Sequence, residues 1–478
     1  MNTTTKQIIT AVLFSAISFI FLLILSVNTS PLCSAEGGDS TIYKLLGLGI
    51  LQGKLPYVDL FDNKGPYLYL INALGQWIIP GRWGLFILQS ISLTTTLYFL
   101  YRTSCLFCNT KKSLLITVLS LFLLAGCYQG GNHVEEWMLP FLAIGFYLII
   151  DLFKTHFENF PPKAVLWRSA LWGLCFGIVL MLRPNDAIAF FGGILIGLCL
   201  WLLNKKEYLI ALYAGLSFLA GAVVAIAPAI VWYASNRALS DMWFGMFGAN
   251  SMVAEGLFGQ LLTLRLWSKW AILLLMITLC VMLCSANQSN LLWPVIPICL
   301  FQLFFIGEKM YAHYFIPLFP LLVLYITMLF CQKNTAVLII ATATLCLSHR
   351  PLPRMAVLNI SSSIKQVATK GINNDTNCPI PDDEKENVWN YSVDPWRPGV
   401  PLAWLIDHNI LQCNRRTGSL DTYVKEKNFQ STNPLWVVSY GNEFERDQSS
   451  LDYLLLDSIS STDYSIYFYR KASAPCLK

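Results

Sequence analysis

Apolar runs of membrane-spanning length recur along this chain and limit its fold more than any other feature. Ile8–Val27 is the first, and ten more follow at residues 82–101, 113–128, 137–153, 169–182, 187–203, 208–233, 270–284, 291–306, 314–331 and 335–349. About twenty apolar residues in a helix cross a bilayer core of roughly 30 Å. Barrel strands are shorter and alternate in polarity, so only helices satisfy the backbone hydrogen bonds of runs like these. About eleven transmembrane helices are therefore expected. Ile8–Val27 follows a single lysine, Lys6, exceeds the length of a typical signal-peptide core and has no A-x-A-like site after it; a retained first helix is expected. Tyr67–Ile79 is short and bounded by Pro66 and Pro80, which suits the membrane interface better than a span. The sequence shows no internal repeat.

Charge marks a second region. Charged residues are 13% of the chain, about half the roughly 25% of a soluble protein, and mean hydropathy is +0.53. Residues 1–349 carry 32 charges, whereas the much shorter stretch 350–478 carries 29. A membrane domain over 1–349 and a polar domain over 350–478 follow, with residues 28–81 as a long first loop. The net charge of +5 suits phosphate or lipid headgroups and gives no support to nucleic acid as a partner.

Placing the N-terminus in the cytoplasm puts Arg102, Lys111, Lys112, Lys154, Lys163, Arg168, Lys205, Lys206 and Lys333 in short inner loops, in accord with the positive-inside rule. Ten of the thirteen acidic residues of 1–349 then fall outside. Several adjoin lone basic residues at membrane depth, where ionisable groups are costly and mostly functional. Chemistry on the outer face is expected, in what reads as a bacterial inner (plasma) membrane. An odd number of spans sends the tail outside too. There Val388–Ser392, Leu435–Tyr440 and Ser465–Tyr469 read as strands and Pro401–Asn409 as a helix, giving a small α/β domain. Cys33, Cys378, Cys413 and Cys476 would share that face and could form disulfides, with pairing undefined. Cys105-x-x-Cys108 lacks a second ligand pair and does not read as a zinc or redox motif.

The first loop is the most informative. It runs Glu36-Gly37-Gly38-Asp39-Ser40, an apolar stretch Tyr43–Leu51, a segment ending at Asp59, then Asp62-Asn63-Lys64-Gly65-Pro66. Asp39 emerges just after the first span. The apolar stretch can lie along the interface as a helix. Lys64 returns to the membrane surface before a proline-started helix, where its ammonium could meet a lipid phosphate. A solvated connecting loop with ordinary turn residues is the plainer alternative.

On these residues the run GGDSTIYKLLGLGILQGKLPYVDLFDNKGPYLYLINALG resembles the first outer loop of GT-C class glycosyltransferases. It is most similar to bacterial relatives of the protein O-mannosyltransferases and of the lipid A aminoarabinose transferase. The resemblance implies a mainly α, polytopic GT-C-like helix bundle with interfacial helices in the first outer loop and a C-terminal α/β domain on the outer face. It implies Asp39 as catalytic base and Asp62-Asn63-Lys64-Gly65-Pro66 near the carrier phosphate. Many relatives have histidine where this chain has Asn63.

Other loops fit the same pattern. Gly130-Gly131-Asn132-His133-Val134-Glu135-Glu136 resembles the second outer loop with its paired acids; Arg183-Pro184-Asn185-Asp186 ends a span; Glu308-Lys309-Met310-Tyr311-Ala312-His313-Tyr314 resembles a Tyr-x-His-Tyr segment before a late span. The implied donor is a polyprenyl-phosphate sugar, with an undefined glycan, lipid or protein acceptor. The implied phosphate-binding residues are Lys64, Arg183, Lys309 and His313. Asp59, Asp62, Glu135 and Glu136 are candidate contacts to substrate or metal. A divalent cation on His133, Glu135, Glu136 and Asp39 fits the residue types, although no dense ligand spacing demands one.

Plainer roles stay open for each. Glu135 and Glu136 equally suit a helix N-terminus. Arg183 and Lys309 suit snorkelling to headgroups. Residues 236–269 read either as a lid or as a packed interfacial segment. A lipid-linked glycan transporter, or an inactive GT-C homologue, would keep much of the same layout.

Overall fold

The computed structural model describes residues 3–33, 38–60, 62–128, 130–158, 161–249, 266–305, 312–348, 380–381, 388–391, 435–440, 452–460 and 465–472. The helices are α1 (Thr3–Leu25), α2 (Gly38–Leu51), α3 (Pro66–Ile78), α4 (Trp83–Cys105), α5 (Thr110–Ala125), α6 (Val134–Thr155) and α7 (Pro162–Leu180). They continue with α8 (Pro184–Asn204), α9 (Tyr208–Ser235), α10 (Leu239–Trp243), α11 (Leu266–Ser285), α12 (Leu292–Phe305), α13 (Ala312–Cys331) and α14 (Thr335–Ser348). A π turn at Ile188–Gly192 interrupts α8, another at Phe244–Gly248 extends α10, and α13 opens as a 3-10 helix over Ala312–Leu318.

Every apolar run of the sequence corresponds to one of these helices. Among the described residues, α1, α4, α6, α7, α8, α9 and α13 are each long and apolar enough to cross a membrane. The apolar α5, α12 and α14 are shorter, and α11 has 20 residues with its apolar stretch at Ile272–Ser285. In hydroxyl-rich α4, Ser90, Thr94, Thr96 and Thr103 donate to carbonyls four residues back, which hides their polarity inside the helix. As expected, 67–79 is too short to span; α3 starts with Pro66 at its first helical position.

The chain divides into two compact units. One comprises Met1–Pro31, Phe86–Arg237 and Glu255–Lys365; the other comprises Leu32–Leu85, Ala238–Ala254 and Gln366–Lys478. The first contains most of the membrane helices. Its core includes Phe14, Leu22, Phe86, Leu97, Leu100, Ile116, Leu124, Ala143, Phe319 and Val323, from α1, α4, α5, α6 and α13. In the second, α2 packs on α3.

A four-stranded sheet belongs to the second unit: β1 (Val388–Tyr391), β2 (Trp436–Tyr440), β3 (Tyr453–Ser460) and β4 (Ser465–Lys471), in the order β1-β2-β4-β3. β1 and β2 are parallel and the other pairs antiparallel. Three strands match the sequence expectation. β3 escaped it because Leu454-Leu455-Leu456 breaks the alternation that marks a half-buried strand. The expected helix at Pro401–Asn409 lies outside the described residues, as do Cys378, Cys413 and Cys476; Cys33 is buried.

Candidate functional site

The turn before α6 is built from conformations that most residues avoid. Gly130, Gly131 and Asn132 have φ of 89°, 85° and 61°, a region that favours glycine and tolerates asparagine. Glycine is also required by space at Gly131, where a Cβ would meet Ser26 Oγ at 1.8 Å. The end of α1 holds this turn: Asn28 donates from its backbone N–H to Gly130 O (2.8 Å) and from Nδ2 to Gly131 O (2.8 Å). Trp137 Nε1 donates to Asn132 Oδ1 at 2.9 Å. The turn thus delivers His133 as the residue capping α6 and places Glu135 and Glu136 in its first turn.

Glu135 is the centre of a charged cluster. Its side chain is 2% exposed and pairs with Arg183. Arg183 Nε also lies 3.2 Å from Asp186 Oδ2, and its guanidinium sits 4.5 Å from the Tyr314 ring centre. The sequence produces this placement locally: α7 ends, Arg183 is extended, and Pro184 starts α8 at once. His133 and His313 stack with ring centres 4.4 Å apart and planes 7° apart. Ligand atoms of His133, Glu135 and His313 all lie within 4.8 Å of one another, and all three residues are buried. Two imidazoles and a carboxylate are the donor set of many zinc sites, so these residues fit a divalent cation by type and proximity.

Glu136 has different surroundings. Its carboxylate accepts from Gln89 Nε2 (2.7 Å), Asn132 N (3.2 Å), His133 N (3.3 Å) and the Tyr128 hydroxyl. Burial, and then the Glu136 charge, push the Tyr128 phenol well above its ordinary range, which keeps it a donor. The paired acids therefore divide: Glu135 pairs with the Arg183 guanidinium beside two imidazoles, and Glu136 accepts from neutral donors.

Within the second unit, Asp39 lies in the first turn of α2 and is exposed. Lys44, one turn further on, is 2% exposed. Sequence reasoning passed over it, although a lysine within the otherwise apolar stretch Tyr43–Leu51 was the available signal. Asp59 is exposed and accepts from Leu55 N at 2.6 Å, closing a turn. Two tyrosines shape the Lys64 turn. Tyr69 Oη accepts from Lys64 N and lies 3.2 Å from Asp62 Oδ2; Tyr57, at φ 70°, donates to Lys64 O. Burial first, then Asp62, raise the Tyr69 pKa well above the usual phenol value. Lys64 Nζ donates to Asn63 Oδ1 at 2.7 Å, so the residue replacing the relatives' histidine contacts the lysine directly. Glu308 and Lys309 lie outside the described residues.

The structure thus brings together His133, Glu135, Arg183 and His313 from the sequence-derived candidates and adds Tyr314 and Asp186 beside them. Gln89 and Tyr128 were missed; a glutamine within an apolar span was the signal for the first.

No family model and no curated protein sequence matches the chain. Solved structures do. ArnT from Cupriavidus metallidurans bound to undecaprenyl phosphate aligns with a TM-score of 0.61 at 11% identity, over 97% of this chain and 99% of that one. Its apo form gives 0.59 at 12% identity, over 99% and 100%. The Archaeoglobus fulgidus oligosaccharyltransferase AglB, in complex with an inhibitory peptide and a dolichol-phosphate, gives 0.46 at 12% identity, over 92% and 70%. With its apolar helices and this likeness to ArnT, a lipid A aminoarabinose transferase, the chain is an integral membrane protein with a GT-C-like polytopic fold.

Proposed function

We propose that this protein is a membrane glycosyltransferase that moves a sugar from a polyprenyl-phosphate donor to an acceptor on the outer membrane face. The observation that carries the reading is the buried cluster of Arg183, Glu135, His133 and His313 on membrane helices of an ArnT-like fold. A charged cluster of this kind suits an anionic lipid headgroup delivered from within the bilayer.

Asp39 takes the proton of an acceptor hydroxyl or amine as that atom attacks the anomeric carbon. The bond from the anomeric carbon to the phosphate oxygen breaks, and polyprenyl phosphate departs with the electron pair. Displacement from the opposite side inverts the anomeric centre. Arg183 and His313 stabilise the charge growing on the leaving phosphate, the role that the family resemblance also gives to Lys64 and Lys309. A divalent cation, when bound, would be held by His133, Glu135 and His313 and would add positive charge there. Arg183 holds Glu135 in place, and the His133–His313 stack orders the imidazoles.

The test is sugar transfer or release from a panel of polyprenyl-phosphate sugars by the purified full-length protein, wild type against Asp39→Asn. A loss of about 10²–10⁴ in rate is expected from removing a general base. Equal turnover in both proteins removes Asp39 from that role. Silence of the wild type with every donor and acceptor overturns the transferase reading and turns attention to lipid transport.

A further inference from the structure

Each acceptor oxygen of Glu136 is met by donors, and none of those donors is itself a cation. Gln89 Nε2 and Asn132 N converge on Oε2, while His133 N addresses Oε1. Gln89 is in turn fixed from its other side: Ser26 Oγ (3.2 Å) and Thr29 Oγ1 both donate to its Oε1. Gln89 is 2% exposed and Glu136 5% exposed, with Asn132, Ser26 and Thr29 fully buried. The carboxylate fixes the orientation of this buried amide, because reversing it would set the Gln89 oxygen against the Glu136 oxygen, acceptor against acceptor. The chain of bonds runs from the end of α1, through α4, to the backbone N–H of the residue whose ring stacks on His313.

We propose that Gln89 and Glu136 are positioning residues that fix His133 against His313, forming a polarity-matched strut beneath the charged cluster. Glu136 therefore does not contact substrate, and its carboxylate is required for its acceptor geometry. The value of that position for turnover rests on the transferase reading; the geometry itself does not.

The polarity of the strut gives a direct test. Glu136→Gln places an amide N–H₂ against a ring of donors. Gln89→Glu places a second carboxylate against Glu136. The double exchange Gln89→Glu/Glu136→Gln restores the side-chain pair: the new carboxylate still accepts from Ser26 and Thr29, and the new amide donates to it while its oxygen, in the Oε1 position, accepts from the His133 N–H; the Asn132 N–H alone loses its acceptor.

The readout is the Cε1–H resonance of His133 in the full-length protein labelled with ¹³C-histidine, assigned among five histidines with His133→Gln. In the wild type, His313→Gln should move this resonance by removing the stacked ring. Each single exchange should abolish that dependence on His313, and the double exchange, which keeps the acceptor of the His133 N–H, should restore part of it. Gln89→Met, which deletes one donor and leaves the other three, should shift the resonance in the same direction by less; it serves if a single exchange does not fold. The proposal is overturned by a folded Glu136→Gln protein with an unchanged His133–His313 dependence. It is equally overturned by a double exchange that restores nothing, or by a wild type in which His313→Gln leaves His133 unmoved. No donor or acceptor is present, so the result stands apart from whether the protein transfers sugar. In a transfer assay the same single exchanges should lower kcat more than they change KM, with recovery in the double exchange.

Discussion

The helices of the first unit carry ionisable groups at both ends of α6, and the two ends use them differently. At the C-terminal end of α6, Arg168 pairs with Asp151 at 2.6 Å, donates to Ala164 O at 3.1 Å and lies over Trp167. Nearby, Lys154 donates to Gln288, Arg102 donates to Tyr147, and Asn290 reaches Phe153 O. These bonds each join two helices or close one helix end. At the N-terminal end, Arg183, His133 and His313 surround a single carboxylate, Glu135, and Asp186 adds a second acid beside the guanidinium. Charge at one end is dispersed along seams. At the other it converges on a point, which stability alone does not ask for, since buried ion pairs are expensive to assemble.

Removing one arginine at each end should separate these roles most sharply. Arg183→Ala should lower transfer by about 10²–10³, the usual loss when one donor to a developing oxyanion is deleted. It should also destabilise the fold by about 3–5 kcal/mol, because Glu135 is left charged and buried. Adding Glu135→Gln should recover stability but not turnover. Measuring kcat/KM and thermal unfolding in the same preparation distinguishes the two effects. If Arg183→Ala turns over normally, the convergence of charge is structural after all.

Arg168→Ala should have a smaller consequence of another kind. Losing a hydrogen bond to a charged partner costs about 1.5–3 kcal/mol, so thermal unfolding should move down while turnover per folded molecule stays unchanged. A comparable loss of turnover in this variant would erase the distinction between the ends.

That distinction was half visible in the sequence. The apolar runs gave the helices because hydropathy is a local property, and in α4 the hydroxyls of Ser90 and Thr94 bond back to the same helix and present little polarity to the apolar surroundings. Glu135, Arg183 and His313 stood out as ionisable residues beside apolar runs. Their meeting did not: Arg183 and Glu135 are 48 residues apart, and only the packing of α6 against the α7–α8 turn joins them. The separate fates of Glu135 and Glu136 were equally hidden. Adjacent residues on a helix point about 100° apart, and which of them meets Gln89 depends on a neighbouring helix. Arg168 read as an inner-loop charge, although it is 7% exposed and paired.

The smallest effect concerns the thiols at the C-terminal end of α6 and its neighbours. Cys108, after α4, and Cys331, at the end of α13, have Sγ atoms 3.4 Å apart, and both are free and half-buried. The Cys105-x-x-Cys108 motif therefore finds its contact outside itself, across 223 residues of sequence. A disulfide needs the sulfurs at about 2.05 Å, so the side chains must close by more than 1 Å. Mild oxidation with copper–phenanthroline should join them within one chain, and digestion followed by mass spectrometry should recover the linked peptides; Cys108→Ser should abolish the product. Because this end is built of separate seams, tying one of them should leave transfer unchanged. Transfer that falls on oxidation and returns with reductant would mean that the α4–α5 turn and the end of α13 must move apart during turnover. The two ends would then be coupled, and the seams would be part of the catalytic cycle as well as of the scaffold.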